Sequence, residues 1–137
     1  YLMEEITRYY QRQNEDIDVI NLRLSSVPKQ LPPLREVCPP RQWGLGSLTV
    51  MDRSDAVRAF TLAAEAPHQS GVRIMNAAGP KAWVADPVAE ILRAWWADDV
   101  DLSYFEQAGH EYDCVYDVSR IKEALGFVAE RLPENAS

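Results

Sequence analysis

The sequence predicts an α/β fold in which helices pack on a few mostly parallel strands, and three observations lead there. A helical pattern over residues 1–14 runs directly into a β-branched stretch, Ile17 to Leu24, too short for a second helix. A second stretch, Gly71 to Ala77, alternates like a strand and follows an intervening helix. The 137 residues, 47% hydrophobic and 26% charged, have the balance of a globular domain rather than a disordered chain.

Each element has a local reason. Leu2, Ile6, Tyr9 and Tyr10 share one face at helical spacing, while Glu4, Glu5, Arg8, Arg12 and Glu15 take the rest. The apolar face is expected to pack on a sheet, and the helix to end near Asn14. Ile17 to Leu24 then reads as a buried parallel strand. Between Pro28 and Gly46, five prolines and two glycines restrict regular structure, so the chain is expected to cross the surface as a long loop able to carry specificity. Ser47 to Asp52 is a short strand candidate. Ser54 or Asp55 is expected to cap a helix with Val57, Phe60, Leu62 and Ala63 on its apolar side, ending before Pro67.

Further along, Ala78-Gly79-Pro80 turns the chain out of the 71–77 strand. Asp86 and Pro87 open a helix that is expected to bury Val88, Ile91, Leu92, Trp95 and Trp96. A final short helix starts at Asp117 or Ser119, turns Ile121, Ala124 and Leu125 inward, and ends on Gly126 as a left-handed cap. No internal repeat or low-complexity segment interrupts this order.

Composition narrows the function. A formal net charge of -7, with the 14 Lys and Arg scattered, repels a phosphate backbone and argues against nucleic acid as a partner. No apolar run approaches the ~18 residues of a membrane span, so a soluble, cytoplasmic protein is expected. Cys38 and Cys114 lack a CxxC pattern and fit two reduced thiols better than a disulfide or a zinc site. His68 and His110 have no second His or Cys at ligand spacing, and Asp98, Asp99 and Asp101 lack the oxygen pattern of a calcium loop, so no metal site is expected. Trp95-Trp96 fits a core anchor and its lid better than a stacking platform.

Phosphate chemistry is missing as well. There is no GxGxxG or GxxxxGK[ST], and Gly44-Leu45-Gly46 opens no helix behind a strand. The segment Tyr1-Leu2-Met3-Glu4-Glu5 turns acidic where a signal peptide would be apolar, and no capping residue precedes its helix. The expectation is therefore a fragment of a longer chain. Ser25 and Ser26 follow the first strand at its carboxyl end, where open parallel sheets bind ligands; the alternative is that small hydroxyl residues simply end the strand there.

Four stretches, in order, resemble the extended short-chain dehydrogenase/reductases of the NAD-dependent epimerase/dehydratase type. Tyr1-Leu2-Met3-Glu4-Glu5 is similar to the continuation of the helix that carries the family's catalytic YxxxK, with the Lys falling just before Tyr1. Ile20-Asn21-Leu22-Arg23-Leu24-Ser25-Ser26-Val27 resembles the strand ending in Arg before a Val-Tyr-Gly-Pro segment, although Pro28-Lys29 departs from that continuation. Val50 to Ala59 resembles the region of the Val-x-Asp-Val-Ala motif, with Asp55 at its Asp, taken as a helix cap. Tyr116 to Phe127 is similar to the closing Asp-x-Ser-Lys-Ala, Leu-Gly-Trp/Phe signature.

The resemblance implies the C-terminal part of a Rossmann-like fold: residues 1–27 as the end of the core, and 28–137 as a substrate-side subdomain with a returning core strand at 71–77. It implies NAD or NADP, bound mainly by residues outside this chain, and a small-molecule substrate such as a sugar or nucleotide sugar. Leu24 and Ser25 would lie near the nicotinamide; Ser26, Val27, Gln107 and His110 would face substrate; the catalytic Tyr–Lys pair is not in the chain. Glu106 and Gln107 occupy positions where relatives that bind a nucleotide diphosphate often carry Arg, which weighs against that substrate. Family dimers pair through the YxxxK helix, so Tyr9-Tyr10 implies a homodimer. The reading is a substrate-binding portion of an NAD(P)-dependent epimerase/dehydratase or reductase, inactive as an isolated chain. The alternative is a non-catalytic ligand-binding or protein-interaction module of the same fold.

Overall fold

A computed structural model describes residues 2–34, 48–96 and 99–133. Among them the chain forms an α/β structure with four helices and a two-stranded parallel sheet. The order is α1 (Leu2–Gln13), β1 (Asp18–Leu24), α2 (Arg53–Glu65), β2 (Gly71–Ala77), α3 (Val88–Trp96) and α4 (Ser119–Leu125). β1 pairs with β2 in register from Asp18 opposite Gly71 to Leu24 opposite Ala77, with α2 in the crossover.

The alternation of β1 decides what each of its faces meets. Ile20 and Leu22 join a core cluster with Met75 and Ala77 of β2, Ala56 and Ala59 of α2, and Ile121 of α4. Ile121 is fully buried, and a side chain of that size contributes about 2 kcal/mol when taken out of water. Asn21 and Arg23 face α1 instead. Asn21 donates to the Thr7 hydroxyl at 2.8 Å, and the Arg23 guanidinium forms a two-pronged pair with Glu4 at 2.6 and 2.7 Å.

α1 therefore departs from expectation. It docks through Glu4, 8% exposed, and Thr7, while Leu2, Tyr9 and Tyr10 are 72, 55 and 56% exposed. The polar face wins because Asn21 and Arg23 offer Thr7 and Glu4 matched partners. β1 is accordingly half-buried rather than buried.

The Ser47 to Asp52 strand is replaced by a buried connector; Ser47 itself lies outside the described residues. Val50 makes only an isolated parallel bridge to Ser26, with the Met51 N–H donating to the Ser26 carbonyl at 2.9 Å. Two residues earlier, the Leu48 carbonyl accepts from the Trp83 N–H at 2.7 Å. Pulled between two partners, the segment cannot run along either as a strand. Leu48 belongs to the other core cluster, with Val84, Val88, Ile91, Leu92 and Leu102, against which Trp95 and Trp96 pack partly buried and edge to face.

Capping of α2 also differs. Asp52, not Ser54 or Asp55, is the N-cap, its carboxylate accepting from the Ser54 N–H at 2.8 Å. Val57 and Phe60 face solvent at 61 and 54% exposed, and the buried side consists of Asp55, Ala56 and Ala59. Asp55 reaches the C-terminal segment, accepting from the Glu130 and Arg131 N–H groups at 3.1 Å. Arg58 reinforces that contact through Glu130, the Val128 carbonyl and the Phe127 ring. α4 ends on Gly126 at φ 66° as expected, with Ile121 buried, Leu125 partly buried and Ala124 facing solvent.

Candidate functional site

The two parallel strands end together, and the chain leaving β2 runs through Ala78-Gly79-Pro80 into an open cleft of about 560 Å³. Gly79 sits tightly there: a Cβ at this position would lie 3.1 Å from the Val50 carbonyl oxygen, closer than an ordinary van der Waals contact. Lys81 then forms an antiparallel bridge with Asp113. The bridge is held by Ala82 N–H to the Tyr112 carbonyl at 2.7 Å and Cys114 N–H to the Pro80 carbonyl at 2.9 Å. Pro80, Lys81, Tyr104, Phe105, Asp113 and Tyr116 are among the lining residues, with Lys122 of α4 on the far side.

Asp113 is the hub of this wall. Its Oδ1 accepts from Lys81 Nζ at 2.7 Å; its Oδ2 accepts from the Tyr104 hydroxyl at 2.7 Å and lies 2.7 Å from His110 Nδ1. Burial alone would raise its pKa, but the three hydrogen bonds from His110, Lys81 and Tyr104 outweigh it and hold the carboxyl below its ordinary 3.8. The bond to Asp113, with burial and the nearby negative charge, raises the Tyr104 hydroxyl, so it stays a donor. Cys114 is pushed up to about 11, chiefly by burial, which leaves a thiol and not a thiolate nucleophile at neutral pH.

The loop carrying these groups is built from tight turns. Phe105 and Glu106 N–H donate to the Leu102 carbonyl, and His110 N–H to the Gln107 carbonyl at 3.0 Å. Gly109 sits at φ 90° with its N–H on the Glu111 carboxylate. Lys81 also reaches the Gly109 carbonyl at 3.2 Å, tying the loop to the exit of β2.

The sequence-predicted residues fall into two groups. Leu24 ends β1, 39% exposed, and the Ser25 N–H continues the ladder by donating to Ala77. Ser25 is buried and its hydroxyl has no hydrogen-bond partner among the described residues, as a group awaiting a ligand and a strand-ending serine both allow. The Ser26 carbonyl holds Met51, and Val27 packs on the core. None of these four lines the 560 Å³ cleft. Gln107 and His110 belong to the cleft loop: the Gln107 amide donates to the Ser103 carbonyl at 3.2 Å, and His110 joins the Asp113 hub. Glu106 pairs with Arg93 of α3. The proline-rich stretch, with Cys38, mostly lies outside the described residues, but its Pro32 carbonyl accepts from the Trp83 indole at 2.8 Å.

Lys81, Tyr104 and Asp113 were missed by sequence reasoning. A signal existed for Asp113, three residues past His110 in a turn-rich run; Lys81 and Tyr104 reach it only through tertiary structure. Among the described residues no three His, Cys, Asp or Glu side chains gather as metal ligands, and no helix is long and apolar enough to cross a membrane. No family model, curated protein or solved structure matches this chain.

Proposed function

We propose that the chain is the substrate-binding, C-terminal portion of a cytoplasmic NAD(P)-dependent epimerase, dehydratase or reductase of the extended short-chain type. It acts on a sugar-like or other hydroxyl or carbonyl compound and is inactive by itself. The observation that carries this reading is the parallel β1–β2 pair, whose carboxyl ends lead to the unpartnered Ser25 hydroxyl on one side and to the Lys81–Asp113 cleft on the other. Ligands of open parallel sheets bind at that end. The bidentate Glu4–Arg23 pair supports the order of helix and strand that the resemblance implies.

The charges of the cleft bear on the substrate. Lys81 is matched by Asp113, and Lys122 faces a lining that also contains Asp117. No concentrated positive field is left for a diphosphate, which favours an uncharged, hydroxyl-bearing substrate over a nucleotide sugar. Titration of NAD+ and NADP+ into the chain by calorimetry tests the reading. No saturable heat is expected, because the phosphate-cradling glycine loop is not in this sequence; micromolar binding to the chain alone would overturn it.

The second reading, a non-catalytic interaction module, is favoured by the apolar outer face of α1, where Leu2, Ile6, Tyr9 and Tyr10 stand exposed. A homodimer through that face is compatible with either reading.

A further inference from the structure

Beside the cleft of about 560 Å³ lies a second, smaller recess of about 170 Å³. Pro80, Val118 and Lys122 line both, so the two hollows meet along these three residues. The other walls of the recess are Ala78, Phe127, Val128 and Ala129, all apolar. Phe127 and Ala129 belong to the core cluster with Met75, Ala77 and Ile121, so the recess is a gap at the edge of that core. The small side chains of Ala78 and Ala129 leave the space that larger ones would fill. Lys122 is the only polar side chain among the described residues that line it.

Polar groups in the cleft are unequally committed. Asp113 is held by Lys81 and Tyr104, and the Asp117 carboxylate accepts from the Ser119 N–H at 2.8 Å. The Lys122 ammonium and the Tyr116 hydroxyl have no hydrogen-bond partner among the described residues. Lys81 and Lys122 balance Asp113 and Asp117 in charge, so the lining matches an uncharged occupant. Size sets what the recess takes: an apolar cavity of about 150 Å³ holds a benzene ring, so 170 Å³ accepts one six-membered ring and little more. Water competes poorly there, because it needs at least two polar partners and the side chains of the recess offer Lys122 alone.

We propose that recess and cleft together bind an uncharged alcohol or ketone bearing one apolar six-membered ring, with the ring in the recess, the oxygen at Lys122 and the remainder toward Tyr116. The proposal rests on the reading of a hydroxyl- or carbonyl-bearing substrate and narrows it from sugars to ring-bearing compounds. A sugar fits less well, because each hydroxyl carried into the recess loses water and finds no partner among its apolar walls. A bare hydrocarbon also fits less well, because it leaves the Lys122 ammonium at the junction without an acceptor. The ligand oxygen therefore belongs on a carbon next to the ring. Binding makes and breaks no covalent bond.

Methyl and amide spectra of the isotope-labelled 137-residue chain test this, with 1-phenylethanol as the probe and glycerol as the ringless comparison. 1-Phenylethanol is expected to move the Ala78, Val128 and Ala129 methyl signals and the Tyr116 and Lys122 amides along one saturation curve, and glycerol to leave those methyls in place. Ala129→Leu is expected to fill the recess and abolish the Ala78 and Val128 response. Lys122→Met, at an exposed helix position where the fold is expected to persist, should weaken 1-phenylethanol about tenfold, the worth of one hydrogen bond. The same variant should leave the shifts produced by toluene unchanged. Recess methyls that 1-phenylethanol does not move, glycerol that binds as tightly, or benzoate that binds more tightly overturns the proposal. So do recess methyls that move with protein concentration instead of with the alcohol, since a second copy of the chain would then be the occupant. The nicotinamide titration reads a separate event, so either result can fail alone.

Discussion

Asp55 shows how a single carboxylate can serve a purpose its sequence position does not announce. Placed three residues past the α2 cap and 2% exposed, it accepts the backbone N–H groups of Glu130 and Arg131, with Arg58 at 3.5 Å. Removing it takes the acceptor from two backbone N–H groups that pin the C-terminal segment and one carboxylate from Arg58, whose Nε has no partner among the described residues. We expect Asp55→Ala to destabilise the chain by about 3 kcal/mol, read as a shift in the urea midpoint. Phe60→Ser on the same helix, at an exposed position, should stay within about 0.5 kcal/mol of the parent. Sequence pattern ranks these two residues the other way, since Phe looks like core and Asp like a cap. What reverses them is the return of the C-terminal segment across α2, a contact spanning most of the chain and invisible to local spacing.

Secondary structure was more legible than the side each element presents. β2 falls on Gly71–Ala77 as its alternation and flanking turns require, and α4 closes on Gly126. The apolar-face assignments that failed, that of α1 and those of Val57 and Phe60 on α2, where Leu62 does pack on the core, share a cause: an amphipathic pattern shows that a helix has two faces but not what its neighbours offer. For α1 the neighbours are Asn21 and Arg23, so polar Glu4 and Thr7 go inward and the tyrosines outward. The candidate site was legible in part. His110 was named, but the carboxylate that orients it was not, because its other partners, Lys81 and Tyr104, come from separate turns. At this scale the proposed dimer makes its own prediction. The chain should sediment as a dimer at high concentration, and Tyr9→Ser with Tyr10→Ser should sediment as a folded monomer. A monomeric parent would remove α1 as the interface.

For the molecule as a whole, the ion pairs set an acid limit. Asp18 is held below its ordinary 3.8 chiefly by its hydrogen bond from Arg73, then by the Gln69 N–H; Glu4 is held below 4.5 chiefly by Arg23; and Asp113 is lowered by its three donors. Because each folded value lies below the ordinary one, the stabilisation is complete above the ordinary values and is lost as pH falls through the folded values. Thermal unfolding followed by circular dichroism should therefore give a steady midpoint from neutrality down to 4.5, then a decline that steepens below 3.8. A decline beginning near pH 6 would count against these carboxylates as the source of the limit. The register of β1 on β2 also governs how fast this structure can be reached. Among the described residues the strand pairs join positions as distant as Asp18 and Gly71, and no hairpin offers a shorter route. Helices such as α2 can form in about a microsecond, but the sheet must wait for the long connection to close. Folding speed is thus set by chain closure rather than helix growth, and until closure both edges of β1 remain open to pair with another molecule.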